Sequence, residues 1–165
     1  MNPVSELLRR GRSRDAVKFA ETEVSANPRS PLPFAMLAHA LMARREYDAA
    51  ERAVSSAIKL SPHDPGLHFL RTRVNYARGQ FEAALSDSLL AAQESVPSDD
   101  HFYTKSCLLL GAACLAQLGQ GEQALEVLKK VEGDVKVRAG ALLTLSMVAE
   151  QAGSSSGRAS GGMTM

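Results

Sequence analysis

The chain repeats itself at intervals of 34 residues, and this period constrains its fold more than any other feature. Three alanines occupy the same position in successive copies: Ala16, Ala50 and Ala84. Prolines recur almost in phase with them, at Pro28, Pro62 and Pro97, and the frame resumes near residue 119 after an insertion of six residues. A repeat of this length is one supersecondary unit that cannot bury its apolar face alone. We therefore expect the copies to stack on one another.

Each copy is predicted to form a helix, a turn and a second helix, most clearly over residues 31–64. Apolar residues at helical spacing form a first stripe, made of Phe34, Leu37, Ala38 and Leu41. A second stripe follows the polar turn at residues 44–46 and consists of Tyr47, Ala50, Val54 and Ala57. Small residues at Ala38 and Ala50 allow two antiparallel helices to approach closely, and Pro62 ends the second helix.

These positions resemble the tetratricopeptide repeat, whose pattern the second copy matches except for the turn glycine, where Arg45 stands. The resemblance covers residues 2–153 and implies an all-α fold, a right-handed α-solenoid of tandem helix-turn-helix repeats with a closing C-terminal helix. It places the repeats at about 2–29, 30–63, 64–97 and 104–137, with the closing helix at 135–152, in one domain over residues 1–152. Roughly nine helices are expected. Residues 153–165, rich in glycine and serine, are predicted to be a disordered tail.

The sequence departs from the repeat pattern in the third and fourth copies, and each departure predicts a local change in structure. In the third copy the core-pattern positions are polar (His68, Arg71, Thr72 and Asn75), while Leu67, Leu70, Val74 and Ala77 form an apolar stripe. That helix is therefore expected to be rotated or packed differently. The acidic sequence at residues 98–100 is a helix-start signal, so the first helix of the fourth copy is expected to be extended by a turn or more.

Composition agrees with one soluble domain: 165 residues are 45% hydrophobic and 22% charged, with a net charge of +1. Nucleic acid is not expected as a partner at this balance. No membrane span and no secretory signal segment are predicted, so the expected location is the cytoplasm. Cys107 and Cys114 would lie about 10 Å apart along one helix, too far for a disulfide, and are interpreted as buried apolar side chains.

Motifs typical of catalysis or metal binding are better explained by the repeats. His63, Asp64 and His68 flank a turn but lack a further ligand at a familiar spacing. The glycines at 119 and 121 spell a dinucleotide fingerprint, yet they follow a helix and coincide with the turn of the repeat. We therefore expect no enzymatic activity, no cofactor and no metal.

The resemblance also implies that the first helix of each repeat lines a concave binding surface. Carried onto this sequence, the lining positions are Leu32, Ala35, His39, Met42, Phe69, Arg73, Tyr76, Leu109, Ala113 and Gln117. The lysine and asparagine with which co-chaperone repeats grip acidic carboxyl termini are not matched, because Ala35 and His39 stand at those positions in the second copy.

An apolar groove of this kind suits an extended or helical segment with apolar anchors. The predicted function is thus that of an adaptor or scaffold for a protein or peptide partner. A small dedicated chaperone and the repeat module of a larger enzyme are the alternatives. A second copy of the chain, as a homo-oligomer, or the tail could also occupy the groove.

Overall fold

The computed structural model describes residues 2–95 and 101–131, and within these ranges the chain forms eight α-helices and no strand. In order they are α1 (Pro3–Arg9), α2 (Ser13–Ala26), α3 (Pro31–Ala43), α4 (Tyr47–Leu60), α5 (Pro65–Ala77), α6 (Phe81–Ser95), α7 (His101–Gln117) and α8 (Gly121–Val131). The all-α class is confirmed, as is the alternation of helix, short turn and helix. The predicted closing helix at 135–152, the tail and the helix-start signal at 98–100 lie outside the described residues.

Local sequence explains where the helices begin. Pro3, Pro31 and Pro65 stand in the first turns of α1, α3 and α5, where a missing amide hydrogen costs nothing. The side chain of Asn2 accepts a hydrogen bond from the amide of Val4 at 2.9 Å, and Asp64 accepts one from the amide of Gly66 at 2.8 Å. Both side chains therefore cap the orphan amides at the start of a helix.

The turns inside the helix pairs share one backbone conformation. Gly11, Gly79 and Gly119 have φ values of 72°, 75° and 78°, and Arg45 occupies the corresponding turn with φ of 60°. At Arg45 the helix end is closed by a hydrogen bond from the amide of Glu46 to the carbonyl of Leu41 at 3.0 Å. This left-handed closure satisfies carbonyls that the helix end leaves open, and glycine adopts it without strain.

The helices group into two compact units, one formed by the chain up to Gly79 and one from Gln80 onward. In the first unit each helix packs against the next, and α3 also contacts both α1 and α5. One core cluster joins α1, α2 and α3, and the second joins α3, α4 and α5. The members of the first cluster are Val4, Ala16, Ala20, Met36 and Ala40, and those of the second are Ala38, Leu41, Ala50, Ala53, Val54, Leu70 and Val74. Ala38 and Ala50 are fully buried, as their small size predicts.

In the second unit α6 packs against α7 and α7 against α8. Helix α7 has 17 residues, compared with 13 in α3 and in α5, and so is longer by about one turn, as expected. Cys107 and Cys114 are both buried and unbonded to each other, which confirms their apolar interpretation. Burial raises the pKa of each thiol to about 12.

Helix α5 is buried on more of its circumference than a single stripe predicts. Leu67, Leu70 and Val74 are buried, and so are His68, Thr72 and Asn75 from the polar set. The Thr72 hydroxyl donates to the carbonyl of His68 at 2.9 Å. The His68 Nε2–H donates to the carbonyl of Pro62 at 2.7 Å, which ties the start of α5 to the preceding turn. Thr72 and one nitrogen of His68 are thus accommodated by hydrogen bonds to the backbone, and Asn75 accepts a hydrogen bond from the Arg78 side chain.

Candidate binding face of the first helices

The first helices of three successive repeats, α1, α3 and α5, lie side by side in the first unit, because α3 contacts both of the others. Their neighbouring faces provide the surface that the sequence predicted for binding. A pocket of about 230 Å³ opens between α1 and α3. It is lined by Asn2, Val4, Ser5, Leu8, Leu32, Ala35, Met36 and His39.

Three of the predicted residues, Leu32, Ala35 and His39, therefore line one pocket. They share a face of α3 because positions separated by three, four or seven residues fall on the same side of a helix. Leu32 is 61% exposed although it is a large apolar side chain. The pocket consequently presents apolar surface to solvent, while Val4 and Met36 at its floor belong to the core.

The remaining predicted residues of the first unit lie beside this pocket. Met42 is half-buried and packs against the second core cluster rather than lining the pocket. Phe69, Arg73 and Tyr76 follow one another at helical spacing on α5, with Arg73 exposed and the two aromatic rings half-buried.

His39 lines the pocket and also interacts electrostatically with Arg73 of α5. Crowding by protein atoms lowers the pKa of His39 below its ordinary value, and the positive charge of Arg73 lowers this pKa further. The residue as a whole is nevertheless exposed to solvent. Both causes disfavour the protonated form of the His39 imidazole.

Leu109, Ala113 and Gln117 belong to the second unit, where they share one face of α7. Leu109 and Gln117 are exposed and Ala113 is half-buried. The structure thus brings the α3 residues and Arg73 together and shows the α7 residues as a separate stripe within their own unit.

Sequence reasoning missed the α1 side of the pocket. Ser5 and Leu8 stand 34 residues before His39 and Met42, so the period itself assigns them to the same lining positions. The lining positions predicted from the sequence come from the second, third and fourth repeats, and none comes from the first. The cap at Asn2 and the proline after it were the signals that α1 is a helix with its own binding face.

A second groove, of about 370 Å³, lies on another side of α3, between α2 and α4. Its lining includes the apolar residues Val17, Phe34 and Leu37. The charged residues Glu21 and Arg52 also line it. The sequence did not predict this groove.

Within the described ranges, no group of three or more His, Cys, Asp or Glu residues is placed to hold a metal ion. Among the same residues, no helix combines the length and the apolar character needed to cross a membrane.

Comparison with known proteins agrees with the repeat architecture. No curated protein matches the chain. The family model described as "Tetratricopeptide repeat" matches residues 35–100. The match begins within α3 and runs through α4, α5 and α6, the helix pairs whose period and turns are described above. Over residues 35–100 the chain is therefore similar to tetratricopeptide repeats, in agreement with the helix pairs of the structure.

Proposed function

We propose that the protein is a non-enzymatic interaction module that binds an apolar segment of a partner protein along the first helices of its repeats. The observation that carries this proposal is the pocket between α1 and α3, with Leu32 exposed at its edge. Tetratricopeptide repeats are generally protein-interaction modules, so the family favours the same function.

The size of the pocket supports a peptide as the occupant. At about 230 Å³ it is smaller than sites for drug-sized ligands, which span about 300–1,000 Å³. A pocket of this size suits one or two aliphatic side chains projecting from a longer segment. Burial of one such side chain is worth about 1.5–3 kcal/mol, or roughly tenfold to a hundredfold in affinity.

A matched pair of leucines tests the proposal. Leu32 lines the pocket, whereas Leu60 ends α4 away from it, and both are exposed, by 61% and 41%. Because neither side chain is needed for the core, replacement of either by glutamate is expected to leave the fold intact. Peptides are first selected on the wild-type protein from a random phage-displayed library, and the strongest is then titrated against each variant by fluorescence anisotropy.

We expect Leu32→Glu to weaken peptide binding at least tenfold and Leu60→Glu to leave it unchanged. Circular dichroism of both variants verifies the helical content. Equal affinities of the wild-type protein and Leu32→Glu would place the binding site elsewhere, and failure to select any peptide would contradict the proposed function itself.

A further inference from the structure

Helix α8 carries an exposed apolar stripe in addition to the one that it buries. Ala124, Val127 and Val131 form the buried stripe. Leu125 and Leu128 lie outside it, and they are 58% and 39% exposed. A helix with a free apolar face of this kind suits docking into an apolar groove of another protein surface.

Two opposite charges flank the exposed stripe of α8. Glu122, Leu125 and Lys129 follow one another at intervals of three and four residues, so they share one face of the helix. Both charged side chains are exposed, and neither is hydrogen-bonded or ion-paired to a described residue. By contrast, Glu126 and Lys130 of the same helix pair with each other at 2.9 Å. The exposed face of α8 therefore presents a free acid and a free base on either side of a leucine.

The second groove, between α2 and α4, has matching features. The residues that α3 contributes to its lining are all apolar. Glu21 on α2 and Arg52 on α4 line its two sides, and within the described ranges neither side chain forms a hydrogen bond or an ion pair. The third charged residue of the lining, Glu46, pairs with Arg44. The groove thus keeps one free carboxylate and one free guanidinium on opposite sides of an apolar floor.

We propose that α8 of one copy of the chain docks into the groove between α2 and α4 of a second copy, with Leu125 and Leu128 in the apolar part of the groove. At about 370 Å³ the groove is larger than the pocket between α1 and α3, at about 230 Å³, and it has room for both leucines. The two lie on different sides of α3. The contact therefore leaves the proposed binding face free and does not depend on the proposed function.

Charge complementarity identifies the occupant as a second copy. Glu122 of α8 pairs with Arg52 on one side of the groove, and Lys129 pairs with Glu21 on the other. Glu122 and Lys129 are about 10 Å apart along the helix axis, which is close to the distance of about 8–10 Å between packed helices. The opposite direction of α8 would bring like charges together on both sides. The two ion pairs therefore fix the orientation of the contact.

The contact is expected to be weak. One face of a helix of 11 residues in one groove is small compared with the interfaces of stable complexes, which bury about 1,200–2,000 Å². Each copy carries both the groove and α8, so the same contact can form between any two copies. Self-association is therefore expected to be reversible and to increase with protein concentration.

Sedimentation velocity of the full chain tests the proposal, at loading concentrations from about 10 to about 500 µM, as suits a small interface. We expect the weight-average sedimentation coefficient to rise with concentration. Leu125→Glu is expected to weaken association at least tenfold, because burial of one leucine is worth roughly tenfold to a hundredfold in affinity. Leu90→Glu is the matched control: Leu90 on α6 is 39% exposed and belongs to neither surface, so this variant is expected to associate like the wild-type protein. Circular dichroism verifies the helical content of each variant.

A charge exchange tests the pairing of Arg52 with Glu122. Arg52→Glu and Glu122→Arg are each expected to weaken association about fivefold, because each places like charges together at the edge of the contact. Combined in one chain, the two replacements restore an ion pair of reversed polarity. The double variant is therefore expected to associate within about twofold of the wild-type protein. A double variant that associates no better than the single variants would overturn the proposed contact.

A sedimentation coefficient that does not change with concentration would also overturn the proposal. A closing helix over residues 135–152 that covered Leu125 and Leu128 would give this result, and the proposed function would remain standing. Association that Leu32→Glu abolishes and Leu125→Glu does not would place the contact on the first helices instead, and this result would overturn the proposal too.

Discussion

The turn at Arg45 gives the sharpest test of how the backbone of the repeat contributes to stability. Of the four turns that lie inside helix pairs, three have glycine at φ between 72° and 78°, and the fourth has Arg45 at φ of 60°. A residue with a Cβ pays about 1–2 kcal/mol for this left-handed conformation, and glycine does not. However, glycine loses about 0.5–1 kcal/mol more conformational entropy on folding than a residue with a side chain does. The replacement Arg45→Gly is therefore expected to stabilise the protein by about 0.5–1 kcal/mol.

Little else changes at this site. The side chain of Arg45 is exposed and forms no hydrogen bond or ion pair with the described residues. The bond that its amide donates to the carbonyl of Met42, at 2.9 Å, is available to glycine as well. For a unit of the size formed by α1 to α5, the expected gain corresponds to about 3–6 °C in Tm.

The assay is thermal and urea denaturation followed by circular dichroism at 222 nm. Gly79→Ala is the converse variant: a Cβ there would meet no heavy atom within 4 Å, so the loss of about 0.5–1 kcal/mol would come from backbone strain alone. Arg44→Gly is the neighbouring control, because φ at Arg44 is −91° and its side chain pairs with Glu46; this change should destabilise. An unchanged or lower stability of Arg45→Gly, together with an unaffected Gly79→Ala, would refute the reasoning.

Two further predictions concern titratable groups. The pKa of His39 is lowered, first by the protein atoms that crowd this exposed residue and then by the charge of Arg73 on α5. The residues that α1 contributes to the pocket carry no charge, and α2 and α4 pack against a different side of α3. The folded protein therefore binds a proton at His39 less readily than the unfolded chain does, so stability in urea denaturation should fall as pH is lowered from about 7.5 to 5.5. His39→Gln should reduce this fall, and an equal fall in the variant would contradict the reasoning. Burial raises the pKa of Cys107 and Cys114 to about 12, so a thiol reagent at pH 8 should label them only after denaturation, and rapid labelling of the native protein would contradict their burial.

The sequence predicts the fold well because the signals that mark a repeat are local. Turn glycines, helix-starting prolines and the alanines at the helix contacts each act through their own backbone or size. The alanines of the period, Ala16, Ala50 and Ala84, are all fully buried. The pocket between α1 and α3 is predicted only in part. Leu32, Ala35 and His39 follow from their register, but their meeting with α1 depends on how two helices pack across the intervening α2.

Helix α5 shows a different limit of sequence reasoning. The polar residues His68, Thr72 and Asn75 predict a helix that is rotated or packed differently, and in the structure they are buried together with Leu67, Leu70 and Val74. Hydrophobic periodicity measures the apolar character of side chains, whereas burial of a polar side chain depends on which acceptors the folded backbone offers it. The carbonyl of Pro62 is such an acceptor. Because Pro62 lies outside α5, the sequence pattern of residues 65–77 does not predict this hydrogen bond.

The abundance of alanine in the first unit determines which substitutions it tolerates. Helices α2, α3 and α4 meet through fully buried alanines, including Ala16, Ala20, Ala38, Ala40 and Ala50. Alanine has no side-chain atoms beyond Cβ, so replacing it with glycine removes only one methyl group. A large cavity therefore cannot form at these positions. Enlargement is the damaging change, at about 1–3 kcal/mol for each overpacked site. Since Ala40 packs in the same cluster as Val4 and Met36, which line the pocket, a larger residue at position 40 would be expected to alter the width of the pocket without touching a ligand. The spacing of the proposed binding face would in this sense be set by residues of the core rather than by residues of the surface.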